Sequence, residues 1–119
     1  MTFSKDDLLL YRDLCYRIPC GTYVRIYSTK DPKKWSIKHL TPKILSDYFK
    51  KDIVIKPYLR EMSEMTTIEE NCLEELLLKS PITDQEIVKI DYYNSKKLDY
   101  RNLIGKGLAY KHPKYMYKL

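Results

Sequence analysis

TYVRIYSTKDPKKWSIKHL, residues 22–40, is the stretch on which the fold depends. Residues 22–28 are β-branched and aromatic and alternate strictly. Tyr23, Arg25 and Tyr27 point one way, and Val24 and Ile26 point the other, toward a core. Residues 30–34 form a charged turn carrying Asp31-Pro32. Residues 35–40 resume the alternation, with Trp35, Ile37 and His39 on one face. Two such runs joined by a polar turn predict a hairpin.

Working outward, the N-terminal side predicts a helix. Ser4 caps the backbone N–H of Asp7, and Asp6 and Asp7 suit the positive end of the helix. Leu8, Tyr11, Cys15 and Ile18 recur at helical spacing with Leu14 beside them, while Arg12 and Arg17 fall off that stripe. Pro19 and Gly21 end the helix. On the C-terminal side, Thr41-Pro42 caps a short helix over 42–51, and Ile53-Val54-Ile55 is a third strand.

Thr66 and Thr67 each stand three residues before a glutamate, Glu69 and Glu70, a doubled capping-box signal. The helix it starts, 67–79, buries Ile68, Cys72 and Leu76, with Leu73 and Leu77 beside them, and Ser80-Pro81 breaks it. Thr83 with Glu86 caps a further helix over 84–96, with Ile87, Ile90 and Tyr93 or Asn94 on its stripe. The β-rich run IVKIDYY leaves a strand over 87–93 as the alternative. The order predicts an α+β fold: a small antiparallel sheet of about three strands with three to four helices packed on it. A single domain spans 1–119, with a basic aromatic tail at 110–119.

A chain of 119 residues, 44% apolar and 32% charged, can bury one core without metal or disulfide. The odd set Cys15, Cys20 and Cys72, without CxxC or a signal peptide, points to free thiols in a reducing cytoplasm. No apolar run is long enough to span a bilayer, so no membrane partner is expected. The net charge of +6 is unevenly laid out. Residues 1–60 carry thirteen Lys/Arg against six Asp/Glu, residues 61–90 two against eight, and residues 91–119 seven against two. An acidic segment sits between two basic ones. Either these are ordinary solvated faces, or the cationic surface serves a polyanion.

Catalytic patterns are missing. Cys15, Cys20, His39, Cys72 and His112 lack the paired spacing of a zinc site, and two of the cysteines lie on apolar stripes. Cys20, in Pro-Cys-Gly, has no family signature around it. Glu69/Glu70 and Glu74/Glu75 read as helix-start and solvated residues. Gly105-Lys106-Gly107 lacks a phosphate-loop pattern and reads as a helix end and turn. No enzyme, cofactor or metal is therefore expected.

What remains is a surface chemistry. Twelve tyrosines and one tryptophan offer rings for stacking, and lysines offer charge for phosphate. Tyr23, Arg25 and Tyr27 form one candidate platform. Lys96, Lys97, Arg101, Lys106, Lys111, Lys114, Tyr115, Tyr117 and Lys118 form a second, late in the chain. The same residues also serve as core rim and solubilising charge, or as the hot spots of a protein interface.

Three blocks carry a resemblance: LLLYRDLCYRIPCG (8–21), KPYLREMSEMT (56–66) and LDYRNLIGKGLA (98–109). Together they resemble small accessory proteins of phages and prophages of Bacteroidetes-type bacteria, a group without a catalytic motif. The chain departs from that pattern at Asn102, where glycine is usual, although asparagine also tolerates left-handed backbone. The resemblance implies a role against host machinery or in phage nucleic-acid metabolism. Inhibitors of CRISPR effectors share this size and lack of motifs. The resulting expectation is a non-catalytic, anti-CRISPR-like inhibitor that binds a host nucleoprotein, as a monomer or small homo-oligomer. RNA is the favoured nucleic acid, and a protein partner alone is equally open. The alternatives are a general nucleic-acid-binding accessory protein and a virion or assembly component.

Overall fold

The computed structural model describes residues 4–50 and 53–117. Four helices and four strands follow in the order α1 (Lys5–Arg17), β1 (Tyr23–Ser28), β2 (Asp31–His39), α2 (Pro42–Phe49), β3 (Ile53–Leu59), α3 (Thr67–Leu78), α4 (Gln85–Ser95) and β4 (Tyr110–Lys111). The α+β class and the 22–40 hairpin are as the pattern predicts. The sheet, however, has four strands in the order β2-β1-β3-β4, and it is mixed. β1 runs antiparallel to β2 and β3, whereas β3 and β4 are parallel. A two-residue strand such as β4 has no periodicity to detect, and only its partner defines it. The turn is also tighter than expected, because Asp31-Pro32 belongs to β2. Residues 87–93 are helix rather than strand.

Local chemistry sets most helix starts. At α1 the Asp7 N–H donates to Ser4 Oγ and the Ser4 N–H donates back to Asp7 Oδ2, both at 3.1 Å. Thr41 caps α2 through the Ile44 N–H at 3.2 Å, with Pro42 in the first turn. Of the doubled signal before α3, only Thr66 with Glu69 forms the reciprocal box. The expected cap at Thr83 does not form. A 3-10 turn, Ile82–Asp84, runs directly into α4, so Asp84 takes the cap position without a side-chain bond. Gly21 closes the α1 region with φ +69, a conformation that favours glycine.

The core lies on one face of the sheet. Leu10 and Leu14 of α1, Leu45 and Tyr48 of α2, Val24, Ile55 and Leu59 of the sheet, and Leu103 and Ala109 pack together. Two of the predicted stripes are rotated. On α1 the buried residues are Leu10, Asp13, Leu14 and Arg17, while Leu8 and Cys15 are exposed. Arg17 is fully buried because Asp13, one turn back, accepts from its Nε at 2.6 Å. An amphipathic reading places charges outside and misses such a pair. On α3 only Leu73 is buried, and Ile68, Cys72 and Leu76 face solvent.

Arg60 explains that rotation. Its side chain is fully buried at the end of β3. Its Nη2 and Nη1 donate to Glu69 Oε1 and Oε2, each at 2.8 Å. They also donate to the Glu64 and Lys96 carbonyls at 3.0 Å. Tyr92 of α4 donates its hydroxyl to the Glu69 carbonyl at 2.9 Å. With Glu69 held inward, the inner row of α3 becomes 69, 73 and 77, one residue or about 100° from the row that the apolar periodicity selects.

The three blocks quoted above meet at this joint. Residues 96–98 leave α4 in non-helical conformation, with Lys97 at φ +60. Their carbonyls accept in turn from Arg60 Nη1, the Arg60 N–H and Arg17 Nη2. Asp99 then holds the Leu103 and Ile104 N–H groups at 2.7 and 2.9 Å. Residues 98–109 are successive turns rather than the helix end expected before Gly105, and Asn102 adopts φ +57, as its tolerance for left-handed backbone allows.

The Arg60 hydrogen bonds outweigh burial and hold the Glu69 carboxyl at about 2. An unfolded glutamate titrates near 4.3, so this group's contribution is complete above that value and is lost as pH falls toward 2. Acid titration of stability should show a loss of about 3 kcal/mol between roughly pH 5 and pH 2 from this site. Glu69→Gln should be less stable at neutral pH and lack that portion of the acid slope. Arg60→Met, which leaves Glu69 unpaired, should cost about 3–5 kcal/mol by denaturant unfolding.

Candidate nucleic-acid interface

The sheet has a second face, away from α1 and α2. Alternation puts Tyr23, Arg25 and Tyr27 there, opposite the core residue Val24. The β1–β2 register sets His39, Ile37 and Trp35 directly across from them. The β1–β3 register adds Lys56 beside Arg25 and Val54 beside Tyr27. β4 brings Tyr110 next to Tyr58. The expected platform of Tyr23, Arg25 and Tyr27 is thus the middle row of a wider surface.

Arg25 is the centre of this surface. Its guanidinium carbon lies 3.9 Å from the Trp35 ring centroid and 4.3 Å from that of Tyr110. Its Nε donates to the Tyr58 hydroxyl at 2.8 Å. Lys56 Nζ stands 5.4 Å from the Tyr110 ring. A guanidinium stacked on rings in this way keeps its charge and holds the rings in fixed positions. Trp35 remains 49% exposed and Ile37 41% exposed. Toward the end of the row, Tyr23 packs on His39 with centroids 4.1 Å apart. The arrangement offers exposed ring faces, neighbouring positive charge and few acids, which suits planar groups linked by an anionic backbone.

The late cluster does not form a single patch. Lys96 and Lys97 line a groove of about 650 Å³ with Tyr23, Ile68, Met116 and Tyr117. Burial lowers the Lys97 pKa from its ordinary value. Tyr117 is a structural pin rather than a free ring: its hydroxyl donates to the Tyr58 carbonyl at 2.7 Å and accepts the Tyr23 N–H at 2.9 Å. Burial pushes its pKa up to about 12. Arg101 sits on the helix side, 3.4 Å from Asp13, in a cleft with Tyr11, Arg12 and Tyr16. Lys111 is 3.6 Å from Glu64. Burial pushes the Glu64 carboxyl up, but its contact with His112 and the charge of Lys111 bring it below its usual value. Lys106, Lys114 and Tyr115 are exposed, and Lys118 lies outside the described residues.

Trp35, Lys56, Tyr58 and Tyr110 are the residues that sequence reasoning left out of the site. The hairpin alternation already put Trp35, Ile37 and His39 on one face, and the pairing register then joins that face to Arg25. Tyr110 had no such signal, since it arrives through the parallel β3–β4 pair.

Among the described residues no group of three His, Cys, Asp or Glu side chains is placed to hold a metal. Cys15 and Cys72 are exposed, and burial raises the Cys20 pKa. No described helix is long and apolar enough to cross a membrane. No family, curated protein or solved structure matches the chain.

Trp35 is the sole tryptophan and reports directly on this surface. Its emission should be that of a solvent-exposed indole, and iodide should quench it more strongly than caesium because Arg25 is alongside. Arg25→Gln should narrow that difference. A blue-shifted emission untouched by either ion would contradict the geometry.

Proposed function

We propose that this protein acts by binding rather than by catalysis, and that its open sheet face takes single-stranded nucleic acid. The observation that carries this is Arg25 held against Trp35 and Tyr110 on the face opposite α1 and α2, with Lys56 beside it. Exposed rings can stack on unpaired bases, which a duplex keeps in its own stack, while lysine and arginine neutralise phosphate. In the setting that the phage-accessory resemblance implies, the ligand is RNA exposed in a host nucleoprotein such as a CRISPR effector. Binding there would block the host function stoichiometrically.

Titration with a labelled single-stranded RNA, followed by anisotropy, tests the reading. Affinity should fall with rising salt, with a log–log slope of about −0.7 per neutralised phosphate. Trp35→Ala should cost about 1–3 kcal/mol, roughly a five- to hundredfold loss, with the unfolding transition unchanged. Duplex of the same sequence should bind more weakly. Salt-independent binding, or a Trp35→Ala variant of full affinity, would remove the proposal. Changing Lys111, Lys114 and Lys118 together tests the tail separately, and unchanged affinity would clear it of a role. Affinity purification from host extract at physiological salt should recover RNA, whereas recovery of protein alone would favour a protein interface on the same hot-spot residues.

A further inference from the structure

The rotation of α3 leaves exposed apolar side chains. Ile68 is 76% exposed, Leu78 81% and Ile82 86%, and Leu76 and Ile87 are exposed as well. All five belong to the α3–α4 hairpin, which packs chiefly on itself and touches α1 through α4. Single exposed apolar side chains are ordinary, but five within twenty residues of one arm mark a contact surface. Glu70, Glu74, Glu75, Asp84, Glu86 and Asp91 are exposed around them. The arm therefore presents exposed apolar and acidic side chains together.

The sheet face carries the reverse charge. Its exposed apolar residues are Trp35 and Ile37. Around them stand Arg25 and Lys56, with Lys33 on β2. β2 is also an edge strand, exposed along almost its whole length. The arm lies in the segment of two Lys/Arg against eight Asp/Glu, and the face in the segment of thirteen against six. Opposite charge beside exposed apolar side chains on both surfaces is the complementarity of a specific interface. Arm against arm, or face against face, would instead oppose like charges.

We propose that the α3–α4 arm of one copy docks on the sheet face of a second copy. The contact is heterologous, so it builds chains or a closed ring rather than a simple two-fold dimer. It does not depend on nucleic acid. It does cover Trp35, so a ligand stacked there and a neighbour's arm exclude one another.

Sedimentation velocity of the full chain, free of nucleic acid, reads the proposal. The average mass should rise with concentration beyond that of a dimer, and should fall back when salt is raised. An arm variant, Leu78→Ser with Ile82→Ser, should stay monomeric, and so should a face variant, Trp35→Ser with Ile37→Ser. All four side chains are exposed or half-exposed, and circular dichroism should show both variants folded. Glu74→Lys with Glu75→Lys is a second arm variant that leaves every apolar residue in place. The decisive sample is the equimolar mixture of arm and face variants, which should form one-to-one dimers and nothing larger. A monomeric wild type at every concentration overturns the proposal. So does a face variant that still dimerises, or a mixture that stays monomeric. At dilutions where the wild type is monomeric, the arm variant should bind RNA with unchanged affinity, so loss of RNA binding and loss of assembly are read separately.

Discussion

Arg60 sits with no solvent exposure at the point where the sheet, α3 and the segment leaving α4 converge. Burying a guanidinium is costly unless its donors are met, and here both terminal nitrogens are. Two of the four bonds go to one carboxylate and two to backbone carbonyls. The same residue's backbone pairs with Lys97 and Asp99. Arg17, buried from the other side with Asp13, takes the Leu98 carbonyl. Two buried ion pairs thus hold the irregular stretch that leaves α4. Their contribution is specificity as much as stability: an apolar replacement could fill the space but would not select the rotation of α3.

That rotation has consequences at a distance. Because Glu69 is drawn inward, the Ile68, Cys72 and Leu76 row is turned out, and the hairpin becomes an acidic arm with exposed apolar side chains. Because both core-forming helices lie on one side of the sheet, the opposite side is left as a cationic aromatic face. The two surfaces are products of one packing arrangement. The charge layout along the chain becomes a charge layout in space, with the negative segment in the arm and much of the positive charge around the sheet.

The platform residues divide by how they reach the site. Tyr23, Arg25 and Tyr27 share a face by the period of a strand, so their convergence is legible from spacing alone. Trp35 joins them through a local hairpin, which the alternation of 35–40 also signals. Tyr110 lies more than eighty residues from Arg25 and arrives by a parallel pairing two residues long. Tyr117 shows the opposite case: an aromatic in a basic tail resembles a stacking residue, yet its hydroxyl bridges Tyr58 and Tyr23 and its ring is buried.

The amino-acid sequence by itself determined the class of fold, the hairpin, the caps at Ser4, Thr41 and Thr66, and one row of the cationic face. These depend on neighbours within a few residues, or on a period of two, and such information is present in linear order. Tertiary structure decided which side of α1 and α3 is buried, the fourth strand, and the union of Arg25 with Tyr110. Those outcomes follow from pairings such as Arg60 with Glu69 and Arg17 with the Leu98 carbonyl. A buried charge reverses the usual link between polarity and exposure, and only its partner makes that reversal favourable.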